Sequence, residues 1–197
     1  MLIVCWSVKG GSGTTVVAAS LALLSASQGI DTCLVDLAGD AASCLGLADP
    51  LDPHEIAVGS NLSLLTLSPT SCASTPRWSA VPEHLAIGTR TVVVDAGLGE
   101  PDPALRSAAH HDLLVVRGCY LALRRAAVLY RPPSGVVLVN EPGRALRRQD
   151  VEGVTGAPVV SELEWDPTVA RSVDAGLLAS RVPRSLREGL GALSWTS

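Results

Sequence analysis

Lysine is almost absent from this chain: of 15 basic residues 14 are arginine, and Lys9 is the one exception. An ammonium is a compact point charge and a guanidinium a planar fork, so a lone lysine against an arginine background suggests a demand that arginine cannot meet. An excess of positive charge is also absent. With 15 basic and 19 acidic residues the net charge is -4 and the pI about 5.5, which leaves no overall electrostatic footprint for nucleic acid. Nor is there an apolar run long enough to cross a bilayer. The mean hydropathy is high, +0.34, yet the longest apolar stretch, Val16 to Ala26, is about 11 residues and is interrupted by Ser20 and Ser25, against roughly 20 for a membrane helix. No Cys-x-x-Cys pair occurs. Cys5, Cys33, Cys44, Cys72 and Cys119 are odd in number and mostly in apolar segments, so reduced thiols are expected, with no structural disulfide and no metal or cluster site. The opening MLIVCWSVKGG has no basic region ahead of its apolar residues and reads as a strand, not a secretion signal; a cytoplasmic chain is expected.

What is present is a repeated alternation. Leu2 to Val8 is a buried-strand pattern entering a glycine loop, and Thr15 to Gln28 is a helix, apolar almost all round, that ends at Gly29. Further strand patterns run over Thr32 to Leu37, Asn61 to Leu67, Thr91 to Val94, Asp112 to Arg117, Gly135 to Asn140 and Pro158 to Ser161. Helical segments fall near Leu121 to Tyr130, Arg144 to Val154 and Pro167 to Ala175, whereas Ala48 to Thr89 reads as a loop-rich connection around the Asn61 strand. The expectation is one α/β domain over 1–197, a doubly wound, mainly parallel sheet of about seven strands with helices on both faces. Ligands of such sheets bind at the carboxyl ends of the strands, where Lys9 to Thr15, Asp36, Asp95 and Asn140 fall.

The run Lys9-Gly10-Gly11-Ser12-Gly13-Thr14-Thr15 between a strand and a helix has what a phosphate chain needs. Its glycines let backbone N–H groups turn inward, and the helix N-terminus adds unpaired donors and a favourable dipole. The P-loop pattern G-x-x-x-x-G-K-[ST] is met only in part: Gly13 and Thr15 fit, but Val8 stands at the first glycine position and Thr14 at the lysine.

With its lysine at the front, the loop resembles the deviant Walker A motif, K-G-G-x-G-K-[ST], of the ParA/MinD family of P-loop ATPases. The resemblance extends through Asp36 after the second strand, VVVDAGLG at Val92 to Gly99 as a Walker B strand and switch loop, and VLVNEPG at Val137 to Gly143. It continues through PVVSELEWDPTVARSVDAG at Pro158 to Gly176, so that only Ala48 to Thr89 is poorly matched. The resemblance implies ATP and Mg²⁺ as ligands and a nucleotide-sandwich homodimer in which Lys9 reaches the partner's phosphates. It also implies phosphate binding by Gly10, Gly11, Ser12, Gly13 and Thr14, Mg²⁺ at Thr15 and, through water, at Asp95, and a base-reading amide at Asn140. Two departures touch catalysis. Thr14 replaces the lysine that contacts the β- and γ-phosphates in cis, and loss of a charge-assisted contact worth roughly 1.5 to 3 kcal/mol weakens binding about 10- to 100-fold unless Lys9 compensates. The family's Asp-x-Asp reads here as Asp36-Leu37-Ala38, so the second carboxylate, associated with positioning water, is missing, and Asp40 is the nearest substitute. Phosphoryl transfer depends on positioning and charge, so slow or absent hydrolysis is expected.

Two readings from different classes follow. One is an ATP-dependent dimeric switch that positions or partitions cellular cargo through an unidentified protein partner. The other is a nucleotide-independent pseudo-ATPase scaffold that dimerises constitutively, which Thr14 and Ala38 favour. A ligase or cluster-carrying relative would need a substrate pocket or a Cys-x-x-Cys. His110-His111 lacks a third ligand and is not read as a metal site. Arg124, Arg125, Arg144, Arg147 and Arg148 read as solvated helix faces, with DNA as the alternative. The C-terminal stripe of Leu186, Leu190, Leu193 and Trp195 is expected to pack onto the domain, and membrane contact is not expected.

Overall fold

A computed structural model describes residues 1–48, 54–67, 89–191 and 193. Among these residues, eight strands form one sheet. In chain order the elements are β1 (Leu2–Ser7), α1 (Thr14–Ser27), β2 (Thr32–Asp36), α2 (Ala41–Cys44), β3 (Glu55–Gly59), β4 (Leu62–Thr66), β5 (Thr91–Leu98) and α3 (Pro103–Ala108). They continue with β6 (His111–Arg117), α4 (Tyr120–Ala126), β7 (Gly135–Asn140), α5 (Arg148–Thr155), β8 (Val159–Glu164), α6 (Pro167–Asp174) and α7 (Arg184–Leu190). The strand order is β3-β4-β2-β5-β1-β6-β7-β8, parallel throughout except for the antiparallel β3–β4 pair.

Alternation within each strand builds two cores. Ile3 and Cys5 face α1, α2 and α7 with Leu34, Val93 and Val115, while Leu2, Val4 and Trp6 face α3, α4 and α5 with Val35, Val94 and Leu114. This is the doubly wound arrangement expected from the sequence, with one strand more. The additional strand, β3, lies in the stretch read as loop; it is short and amphipathic, with only Ile56 and Val58 leaning on the core. The remainder of that stretch, 49–53 and 68–88, lies outside the described residues.

Helix α1 is buried along Val17, Ala18, Leu21, Ala22 and Ser25, and it closes at Gly29 in the left-handed conformation, φ 80°. Helix α4 is shorter than the pattern suggested. It stops at Ala126, where the chain tightens through Val128 N–H to the Arg125 carbonyl and turns Leu129 into the core. Helix α5 begins four residues later than expected, because Arg144 is drawn back to Glu141 and Asp150 accepts the Arg147 N–H. Leu186 and Leu190 of α7 are buried and Leu193 packs beside them, so this stripe lies on the domain as expected; Trp195 lies outside the described residues.

A buried ionic brace ties the second core together. Arg106 is 2% exposed. It donates from Nε to Asp112 Oδ2 at 2.8 Å, from Nη1 to Glu100, and from Nη2 to the carbonyls of Arg131 and Pro132 at 3.1 and 3.2 Å. Its guanidinium lies 4.7 Å from the Trp6 ring centre, and Trp6 Nε1 donates to Asp112 Oδ1 at 2.6 Å. Cys5, Cys33, Cys44 and Cys119 are free thiols, Cys72 lies outside the described residues, and burial pushes the Cys33 thiol up to about 11 and Cys44 to about 12. His110 Nδ1 accepts the Leu2 N–H at 3.1 Å, a structural contact.

Candidate nucleotide site

The parallel sheet brings the carboxyl ends of β1, β2 and β5 side by side, and the loop after β1 turns across them. Gly11 and Gly13 take positive φ, 73° and 93°, which glycine adopts without the steric penalty of a side chain. Gly13 is the N-cap of α1 and offers no side-chain cap, so the first N–H groups of the helix are left for a ligand. The loop is held from behind: Ser12 Oγ donates to the Lys9 carbonyl at 2.6 Å, and Arg125 of α4 donates to the Val8 carbonyl at 3.0 Å.

A cleft of about 480 Å³ opens over this loop, lined by every residue from Gly10 to Val16 and by Ala38, Asp40 and Gly97. Lys9 is outside that lining. Its Nζ is directed to the Gly10 carbonyl at 3.3 Å on the exposed rim, with no salt bridge to any described residue. Thr14, at the position where the family places its cis lysine, is 7% exposed and puts no charge into the cleft.

Two aspartates stand side by side where β2 and β5 pair, Asp36 opposite Asp95, both fully buried. Asp36 is saturated. Oδ1 accepts the N–H groups of Ala38 and Gly39 at 3.0 and 2.7 Å and Oδ2 that of Ala41 at 2.9 Å, so it fastens the β2–α2 loop and has no face toward the cleft for proton transfer. Burial still raises its pKa, the three N–H groups pulling the other way. Asp95 is not saturated. Oδ1 accepts the Gly97 N–H at 3.1 Å, while Oδ2 is buried without a hydrogen-bond partner. Burial first, then the Asp36 charge, raises its pKa to about 6 against the pull of the Thr15 hydroxyl and Gly97 N–H. A buried, unpartnered carboxylate oxygen beside a threonine hydroxyl suits a divalent cation with oxygen ligands. Asp40 is exposed on the cleft wall, at the start of α2, with its side chain not engaged in capping.

Asn140 is elsewhere. Its Nδ2 donates to Glu162 and Glu164 at 3.2 and 3.0 Å, and it lines a separate polar hollow with Glu141, Gly143 and Arg144. Between that hollow and the phosphate loop lies an apolar slot of about 270 Å³, walled by Gly13, Val16, Val139, Leu163 and Val169. Trp165 lies at its wall under the Arg117 guanidinium, 5.0 Å from the ring centre, and Arg117 is tied to Glu141 at 2.7 Å. Neither Arg117 nor Trp165 was singled out from sequence. An aromatic residue immediately after the late strand was the available signal.

Comparisons with known proteins agree with this geometry. The profile of the CobQ/CobB/MinD/ParA nucleotide binding domain matches residues 3–179. No curated protein matches the chain in sequence. Among solved structures, the MinC:MinD cell division complex of Aquifex aeolicus superposes with a TM-score of 0.75 at 20% identity, covering 100% of this chain and 96% of that one. MinD from Pyrococcus horikoshii, solved with Mg-ADP, gives 0.77 at 16%, covering 98% and 94%. A ParA family ATPase from Chlorobium tepidum gives 0.75 at 19%, covering 99% and 98%. At these identities the likeness is one of fold.

Proposed function

The chain belongs to the CobQ/CobB/MinD/ParA nucleotide-binding family, and on that premise we propose that it is an ATP-binding dimeric switch with slow or absent hydrolysis, serving the placement or partitioning of cellular cargo. The observation that carries the reading is the cleft itself: a left-handed glycine loop and an uncapped helix N-terminus line one 480 Å³ space, and the buried, orphaned Asp95 oxygen lies behind its wall beside Thr15, which lines it. Backbone donors of Gly10 to Thr14 would hold the phosphates. Thr15 and Asp95 would hold Mg²⁺, which when bound supplies charge neutralisation at the β- and γ-phosphates.

Lys9 serves a second copy in this reading. Standing outside its own cleft on an exposed rim, it is free to reach phosphates across a dimer. Thr14 and Ala38 leave the site short of a cis charge and of a carboxylate to orient water, which argues for slow turnover. Asp40, on the cleft wall, is the remaining side chain in position to act on water. A cytoplasmic place accords with free buried thiols and with no described helix being long and apolar enough to cross a membrane. The Aquifex structure pairs MinD with MinC, and a protein partner is proposed for this chain by analogy.

The test is calorimetric titration of Mg·ATP into the wild-type protein and Lys9→Ala. Saturable binding that weakens in Lys9→Ala, with ATP-dependent dimerisation lost from that variant in sedimentation, is the expected result. The second reading, a constitutive scaffold, draws on Thr14 and Ala38. It predicts no binding at millimolar ATP and a dimer by sedimentation without nucleotide.

A further inference from the structure

The outer face of α4 and the turn after it combine apolar exposure with one sign of charge. Helix spacing places Tyr120 above Arg124, and Leu121 in line with Arg125 and Val128, while Ala122, Leu123 and Ala126 face the core. Tyr120, Val128 and Tyr130 are 73%, 81% and 88% exposed and Leu121 43%, a concentration found on no other described element. The whole stretch 113–140 contains four arginines and no acidic residue, in a chain of net charge -4. Of these, Arg117 is bound to Glu141 away from this face; Arg131 donates to Ser107 and lies 3.9 Å from Asp112; Arg124 has no partner among the described residues. The two carboxylates beside this face, Asp112 and Glu100, which accepts the Tyr130 N–H at 3.5 Å, are both held by Arg106.

We propose that this face is a docking surface for an acidic segment of another protein carrying apolar anchors. Exposed tyrosines and arginine are the side chains that dominate interface energetics, and an apolar patch ringed by one charge selects its complement. Nucleic acid fits less well. Three arginines, one already donating to the Val8 carbonyl and one to Ser107, fall short of the 6 to 10 or so phosphate contacts of a DNA-binding face. A second copy also fits less well, since a two-fold contact of this face would bring two patches of the same charge together. The face abuts the phosphate loop through Arg125 and Val8, which gives a partner docked there a direct contact with the segment that would bind nucleotide.

This inference deepens the switch reading and takes its purpose from it, but the surface is tested separately, on nucleotide-free full-length protein. A random-peptide library displayed on phage is selected on the wild-type chain with counter-selection on Arg124→Glu. Enriched peptides are expected to be net acidic with two or more apolar residues at helical spacing. Their affinity, measured by fluorescence anisotropy, should fall tenfold or more in Arg124→Glu and in Tyr130→Ala, both exposed positions whose melting curves should match wild type. Replacing the peptide's glutamates by lysines should restore binding to Arg124→Glu. Enrichment of neutral or basic peptides, no enrichment at all, or affinities indifferent to both variants overturns the proposal. So does binding of duplex DNA that these variants abolish, or a wild-type dimer that they dissociate. Peptide capture without ATP binding leaves the surface in place and removes the switch; the converse removes the surface alone.

Discussion

Asp36 and Asp95 are register partners on adjacent strands, and their environments give them opposite uses. Three backbone N–H groups occupy Asp36, so its charge organises a loop; Asp95 keeps an unpartnered oxygen and a pKa near 6. An acid whose pKa rises on folding holds its proton longer in the native state than in the unfolded chain. Its contribution is therefore lost as pH rises from about 4 through about 6 and stays lost above, a penalty of about 3 kcal/mol. Asp95→Asn should consequently raise the melting temperature by several degrees at pH 7 and flatten its decline between pH 4 and 6. The same variant should lose the Mg²⁺ dependence of nucleotide binding. A melting temperature equal to or below wild type at pH 7 would contradict this account. Stability given up at a ligand site is the usual sign that the residue is kept for the ligand.

At the scale of elements, two helix ends meet. Gly46, following α2, and Gly176, following α6, both take positive φ, 76° and 65°, and a Cβ on Gly46 would lie 2.2 Å from the Gly176 carbonyl oxygen. Gly46→Ala should cost about 2 to 4 kcal/mol, about 1 to 2 from the left-handed backbone and the remainder from displaced main chain. Gly29→Ala, equally left-handed at φ 80° but facing open space, should cost only the first part. Denaturant titration of both variants separates the terms; equal losses would remove the packing contribution. Elements were legible in sequence where burial was two-sided: β1, β2, β5, β6 and β7 are continuous apolar runs, and α6 carries Asp166 and Pro167 at its start. Of the short half-buried elements, β4 and the start of β8 were read as strands, but β3 and α3 were not. Strand β3 has two inward residues, and α3, capped by Asp102 at 2.7 Å from the Ala104 N–H, has only six residues to show a period.

Across the whole molecule the buried ionic brace was invisible in sequence, because it joins near neighbours in the chain to Trp6, 106 positions from Asp112, and to carbonyls 25 and 26 positions from Arg106. Arg106 links Trp6 of β1, Glu100 after β5, Asp112 of β6 and the 131–132 carbonyls through one guanidinium. Removing one member of a buried pair leaves an uncompensated charge, so Arg106→Ala should lose about 3 to 5 kcal/mol in urea unfolding. A loss below about 1 kcal/mol would place the pair among surface-like ion pairs. The candidate site shows the same division. The glycine loop, Thr15 and Asp95 could be read from a local motif, and Asp36 is saturated by N–H groups of the loop directly after it, whereas the capture of Asn140 by two glutamates and the support of Val8 by Arg125 depend on tertiary approach.

Strand β3 has a consequence for the molecule's behaviour among its own copies. Without it, β4 would end the sheet with a free row of amides and carbonyls along Leu62 to Thr66, a template for cross-molecular strand pairing. A five-residue antiparallel strand covers that row, and Glu55, held by Arg90 at 2.9 Å, puts a carboxylate on the new boundary. The hairpin therefore guards against aggregation, and its shortness is part of that protection, since a brief charged edge offers a neighbouring chain little to extend.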